Sequence, residues 1–504
     1  MNISVILAVL IALMVGDIVQ NANPEENLSW LGNLSMAATL ALAAGISLLT
    51  GTLVKVTVQL LLARLERSSN LAGGLLRLPG RVDFLMQAVI MGAFLLLLFS
   101  GGWIRLIYLQ WQLQQWILVD ELCLLLPFLI MLIIKWYCFY PLNRFVKEYV
   151  VAGQLAGGMS ARPVWTRKQY MSFQIRHGLL IILVPLLLII TFKDSVDKVI
   201  ERWFIEETPV SAITTLVSDG VVFGGAGLIF LLSPFILRRI WLTRSLPEGP
   251  LRNRLESFCK QIKIGYRDIL LWDTYSAVAN AAVMGLLRPV RYVMLSDALI
   301  ENMSDEQIEA VFGHEAGHVK HHHIIYLLLF VIGSCLWMAL LLSCARFFWD
   351  NLGAKMVMVT DNQGWFISAT FLLLAVGWLI LFGWVSRRFE RQADIHAAQT
   401  VAQARGENCL PEKLQAHGAA IMSVALQRIA MLNGISMHAR SWRHSSIASR
   451  MAFLQSLTME NGKYARFCRL VKALKIFTIG LVLTGIAGGL IIFRQGLLAE
   501  GIGK

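Results

Sequence analysis

Residues 304–318 read Ser-Asp-Glu-Gln-Ile-Glu-Ala-Val-Phe-Gly-His-Glu-Ala-Gly-His. Ser304 with Gln307 has the pattern of a capping box, so a helix starts here. Ile308, Val311 and Phe312 give that helix an apolar face. Roughly two to three turns in, His314 and His318 stand four apart, on one side and one turn from each other. Two imidazoles so placed can grip one Zn²⁺. Glu315 would face the metal's open position, where a water made acidic by zinc needs a base. The stretch predicts a zinc hydrolase with one zinc per chain, ligands His314 and His318, and base Glu315. The bland reading is a polar helix ending at a membrane surface, with its histidines among headgroups.

Zinc needs a third protein ligand. The place where a metzincin would carry it, six residues on, holds Ile324. His321, His322 and His323 read first as interfacial residues opening a transmembrane helix, with a role in the same zinc site as the lesser reading. Further along, Ser386-Arg-Arg-Phe-Glu-Arg-Gln-Ala-Asp394 again sets two acids four apart. Glu390 is the candidate third ligand. Asp394 is the candidate partner for the other ring nitrogen of a ligand His. Taken alone, the segment fits an exposed helix with i,i+4 ion pairs better.

The chain has 504 residues, 57% hydrophobic and 15% charged, with mean hydropathy +0.62. Those values belong to polytopic membrane proteins. The seven cysteines (123, 138, 259, 335, 344, 409, 468) are scattered and form no thiolate zinc pattern. Apolar stretches long enough to span fall near 3–19, 34–54, 84–100, 118–134, 178–192, 221–237, 324–345, 365–385 and 476–493. The first lacks a basic n-region and is kept as an anchor. With the N-terminus inside, the inner segments hold 37 of the 45 Lys and Arg. That bias predicts nine crossings with the N-terminus and the motifs cytoplasmic. The net charge of +13 is thus a topology signal, and no basic-aromatic pattern points to nucleic acid.

The two motifs flank a transmembrane hairpin, about 324–385. A hairpin returns the chain to the side it left, so Glu390 can come close to His314 and His318. The expected fold class is mainly α: a polytopic helical membrane protein of about nine transmembrane helices with a split cytoplasmic α+β metallopeptidase domain. The expected division is 1–237 (N-terminal membrane helices), 238–323 (first half-domain), 324–385 (hairpin), 386–473 (second half-domain) and 474–504 (last helix and tail). Residues 268–273, 277–285 and 291–296 read as short strands. A strand beside the zinc helix can bind peptide by β-addition; on periodicity alone residues 277–285 fit better an ordinary buried strand or helix segment.

Together these residues resemble the integral-membrane zinc metallopeptidases that include CAAX prenyl proteases and HtpX-type proteases. The matching segments are Asn280-Ala281 with Gly285, Leu295-Ser-Asp297, His314-Glu-Ala-Gly-His318 and Glu390-Arg-Gln-Ala-Asp394, around the hairpin. The resemblance implies zinc on His314, His318 and Glu390, Glu315 as general base, and a substrate cleft lined by the strand starting at Asn280 and Ala281. It also implies that His444 and Arg450, six apart, stabilise an oxyanion. The two prolines that follow the His in CAAX proteases are Ser445 and Ser446 here. The N-terminal half departs more, with extra spans. The implied function is a membrane endopeptidase in protein quality control, or in processing of membrane-associated or lipidated peptides. The reading from another class is a non-enzymatic transporter or regulator with a structural zinc fold.

Overall fold

The computed structural model describes residues 3–21, 34–67, 78–156, 164–204, 212–352, 363–406, 414–439, 443–460 and 462–502. The chain divides into two compact units. One is Met1–Thr243 with Trp272–Ala277; the other is Arg244–Leu271 with Val278–Lys504.

The first unit is helical: α1 (Ile3–Asn21), α2 (Met36–Glu66), α3 (Leu78–Phe99), α4 (Val119–Ala156), α5 (Arg167–Gln174), α6 (Ile181–Phe204) and α7 (Ala212–Ile240). A π turn, Ile175–Leu180, joins α5 to α6. One face of α2 turns inward: Val54, Val58, Leu61 and Leu65 meet Met86 of α3 and Phe139 and Leu142 of α4. Other large apolar residues of this unit stay exposed, among them Leu48, Leu60 and Phe223. A water-soluble helix would not keep so many outward, whereas lipid accepts them.

The second unit holds a four-stranded sheet: β1 (Thr243–Ser245), β2 (Asp268–Trp272), β3 (Ala281–Met284) and β4 (Tyr292–Ser296), in the order β1-β2-β4-β3. The three predicted strands are present, the middle one shortened to 281–284; β1 carries too few residues to show a period. β3 lies at an edge and pairs antiparallel with β4, Ala281 opposite Leu295 and Met284 opposite Tyr292. Seven helices complete the unit: α8 (Pro250–Gln261), α9 (Asp297–Asn302), α10 (Asp305–Lys320), α11 (His323–Leu352), α12 (Gln363–Ala404), α13 (Ala416–Leu432) and α14 (Ile447–Met459); α15 (Lys463–Ile502) closes the chain as an eighth. The capping box expected at Ser304 and Gln307 forms and starts α10.

Among the described residues seven helical segments are long and apolar enough to cross a membrane, so this is a multi-pass membrane protein. They coincide with seven of the nine expected spans. The other two, 3–19 and 365–385, lie in α1 and α12. The described apolar part of α1 is a short stretch, Ser4–Gly16. In α12 the described side chains reach Arg387 and Arg388 before a span's length is complete.

Within the second unit, α11 and α12 form the hairpin. Trp378 Nε1 of α12 donates to Ser334 Oγ of α11 over 2.7 Å. Small residues let α15 close on α11: a side chain at Gly485 would sit 2.8 Å from Leu336 Cβ.

Candidate metal centre

The site is built where α10 crosses α12. Gly313 and Gly317 permit the crossing. A Cβ at Gly317 would lie 3.0 Å from Ala393 Cα and 3.1 Å from His396 Cβ. A Cβ at Gly313 would lie 2.7 Å from Thr400 Oγ1. With no Cβ at either position the two backbones approach closely, and residues 314 and 318 of one helix come opposite 390 and 394 of the other.

His314 Nε2 and His318 Nε2 are 3.3 Å apart. Glu390 places one carboxylate oxygen 3.5 Å from His314 Nε2 and the other 3.7 Å from His318 Nε2. Tetrahedral zinc with bonds near 2.0–2.1 Å separates its ligand atoms by about 3.3–3.4 Å. Two imidazoles and a carboxylate are donors zinc takes readily, so residues and spacing both fit the ion. Among the described residues these three are the one such converging group.

Behind His314 stands Asp394, fully buried, with Oδ1 2.9 Å from His314 Nδ1. The ring therefore directs Nε2 at the site. Asp394 is held by Arg450: Nε donates to Oδ2 over 2.8 Å and one Nη donates to Oδ1. Burial would raise the Asp394 carboxyl, but the Arg450 charge and hydrogen bonds, with His314 adding, hold it at about 2. Burial likewise opposes charge on His314, yet Asp394 and Glu390 outweigh it and carry the imidazole to about 10. His318 goes the other way, to about 4, through burial and then the positive charge of His314. Against the cost of burial, hydrogen bonds from His314 and His444 keep Glu390 well below the usual carboxylate range. The site's negative charge calls for a cation at His314, and a metal must displace the proton held there.

Glu315 is half-buried next to this group. Burial pushes its carboxyl up; His314 opposes, Glu390 assists, and the result is about 7. The Val283 N–H of β3 donates to it. Ser296 N–H donates to Asn280 O over 3.0 Å, so Asn280 turns its backbone groups towards β4. In the alternation of an antiparallel pair, Ala281 and Val283 then turn theirs to the free edge. Asn280 has an exposed side chain, while Ala281 is buried. The start of the strand is pinned by Asn433, which accepts from Ala279 N–H over 3.0 Å and donates to Ala279 O over 2.9 Å.

The remaining expected residues also come here. His444 Nδ1 is 3.0 Å from a Glu390 oxygen, with its side chain half exposed. Arg450 is buried and directs Nε and one Nη at Asp394, that Nη also lying 3.4 Å from His314 Nδ1. The three consecutive histidines separate. Only His323 departs from the interfacial reading: it is fully buried, with Nδ1 2.9 Å from His318 Nδ1. The sequence held no sign of this, because residues five apart do not share a helix face. The contact needs the chain to break at His322, which adopts a left-handed φ of 56°.

Residues 245–457 match the family model described as peptidase family M48. The chain is 25% identical over 229 residues to Protease HtpX of Alkalilimnicola ehrlichii, spanning 40% of this chain and 73% of that protein. It is 26% identical over 226 residues to Protease HtpX of Xylella fastidiosa, spanning 39% and 75%. A Protease HtpX homolog of Neisseria meningitidis is 26% identical over 261 residues, 47% of this chain and 85% of that one. The crystal structure of S. mikatae Ste24p covers 84% of this chain and all of that chain at 15% identity and a TM-score of 0.45.

Proposed function

We infer that this chain, whose residues 245–457 carry a peptidase family M48 domain in a multi-pass membrane protein, holds one zinc ion on His314 Nε2, His318 Nε2 and Glu390 and hydrolyses peptide bonds there. The observation that supports this most is the convergence of the donor atoms, the two Nε2 atoms 3.3 Å apart with one Glu390 oxygen 3.5 Å from His314 and the other 3.7 Å from His318, beside a carboxyl pushed up to about 7.

Zinc bound there would supply Lewis acidity for a carbonyl and for a water. The chain's own residues do the rest. Glu315 takes a proton on its carboxylate and delivers it to the departing amine, a task matched to a group titrating near neutrality. Asp394, fixed by Arg450, keeps the His314 ring aimed. His444, half exposed, is a hydrogen-bond donor available to a developing oxyanion. Arg450 holds Asp394 with Nε and one Nη, and its remaining N–H donors and its charge are available to the same oxyanion. Substrate lies along the free edge of β3, where Ala281 offers both backbone groups and Val283 its carbonyl. A backbone-reading edge accepts varied sequences, which favours broad cleavage of unfolded or membrane-associated protein over one defined peptide. The catalytic unit faces the cytoplasm in this proposal, on the Lys and Arg bias of its segments.

A purely structural zinc site is closed by four protein ligands. Here three donors converge and a base stands beside them, which disfavours a non-enzymatic role. The test is metal analysis with cleavage of an unfolded model protein in detergent, wild type against Glu315→Gln. Zinc in both, with chelator-sensitive cleavage in wild type alone, supports the proposal. A folded wild type without metal ends it.

A further inference from the structure

We propose that His323 and Gln392 are positioning residues that fix the tautomer and aim of His318, forming a neutral hydrogen-bond relay. This rests on the reading of His314, His318 and Glu390 as metal ligands.

His323 Nε2 lies 2.9 Å from Gln392 Oε1. A carboxamide oxygen only accepts, so the proton of a neutral His323 sits on Nε2. Its Nδ1 is then a lone pair. That lone pair faces His318 Nδ1 at 2.9 Å, and a hydrogen bond at that distance requires the proton to be on His318 Nδ1. His318 is thereby left with a bare Nε2, the atom turned to His314 Nε2 and Glu390. The opposite order of protons would place one on His318 Nε2 and block the ligand atom. The relay therefore runs from His318 to His323 to Gln392, and each link sets the next.

The ring of His323 has little freedom to abandon this role. It is fully buried and stacks on Phe389, centroids 4.6 Å apart and planes 2° from parallel. Phe389 and Gln392 flank Glu390 on α12. The relay thus ties the second histidine of α10 to the helix that carries the third ligand. The left-handed turn at His322 brings the first residue of α11 back over His318. The first histidine rests on an ionised pair, Asp394 with Arg450; the second rests on two neutral groups. A neutral acceptor orients His318 without raising its basicity as a carboxylate would.

The test uses the full-length protein in detergent, with zinc affinity read by competition against a chromophoric chelator and site geometry by the visible spectrum of the Co²⁺-loaded form. In His323→Asn the amide oxygen takes the place of Nδ1 and still accepts from His318. In His323→Gln the amide reaches towards Gln392 and leaves His318 unpartnered. His323→Phe keeps the volume and the stacking alone. Outer partners of ligand histidines are worth about 10–100-fold in metal affinity. The Phe and Gln variants should lose affinity in that range and show an altered Co²⁺ band, while Asn stays within about 3-fold of wild type. Gln392→Leu, at the relay's outer end, should weaken binding less than His323→Phe; it carries the test if the His323 variants do not fold. Wild-type affinity in the Phe variant, or in Gln392→Leu where the Phe variant does not fold, overturns the relay. So does an Asn variant as weak as Phe, which would leave His323 a packing residue. Absence of metal from wild type would instead overturn the ligand assignment itself.

Discussion

Both units of the chain bury charge, and they do so to different ends. In the first, Lys135 is fully buried and its ammonium meets Asp83 at 2.6 Å. The pair closes on itself, plus to minus. In the second, Arg450 and Asp394 close in the same way, but Asp394 also engages His314. From there the network reaches the imidazoles of His314 and His318 and the Glu390 carboxylate, which converge on one point. A closed pair stabilises or merely occupies a fold. A network that gathers two imidazoles and a carboxylate offers a donor set that a metal cation can take up, and that separates a site from a structural ion pair.

The contrast can be broken by substitution. The largest effect belongs to Glu315→Gln, which should keep zinc yet cut kcat/KM by roughly 10³-fold or more, the scale of a lost general base; near-normal turnover would remove Glu315 from the chemistry. Glu390→Ala should weaken zinc by more than about 100-fold, beyond the ~10–100-fold of an outer partner; unchanged metal content on chelator dialysis would refute its place as third ligand. Arg450→Met strands the Asp394 carboxylate in the interior, a loss of about 3–5 kcal/mol. It should appear as a much lower melting temperature, even in metal-loaded protein. Gly317→Ala presses a methyl into Ala393 and His396 and should cost about 1–3 kcal/mol, with metal affinity falling as the two helices part. The smallest effect is expected from Lys135→Met. Asp83 is 41% exposed, so the carboxylate left behind is not sealed in the interior and the loss should fall below the ~3–5 kcal/mol of a stranded buried charge, and zinc affinity should not move. A loss of zinc there would show that the closed pair is not confined to its own unit.

Much of the site was legible because its parts are local. The capping box at Ser304, the four-residue spacing of His314 and His318, and the same spacing at Glu390 and Asp394 are helix periodicities, and helices formed at all of them. The hairpin made the two motifs neighbours before any coordinate did. What stayed hidden depends on contacts across long stretches of chain. Arg450 finds Asp394 from 56 residues away, and Asn433 pins Ala279 from 154 away. Neither leaves a period. The use of Gly313 and Gly317 as a place for backbones to meet shows only against the partner helix. His323 was misread because interfacial histidines are the ordinary expectation before an apolar run. Only the left-handed residue ahead of it turns the ring inward.

The hairpin carries one more consequence. α12 runs unbroken for 42 residues, about 63 Å at helical rise, against a hydrocarbon layer of about 30 Å. It begins in the apolar stretch expected as a span and ends well past Glu390, so the carboxylate sits partway along one continuous rod. His323 sits at the matching end of the rod beside it. With no hinge between the apolar stretch and Glu390, the ligand moves only as the whole helix moves.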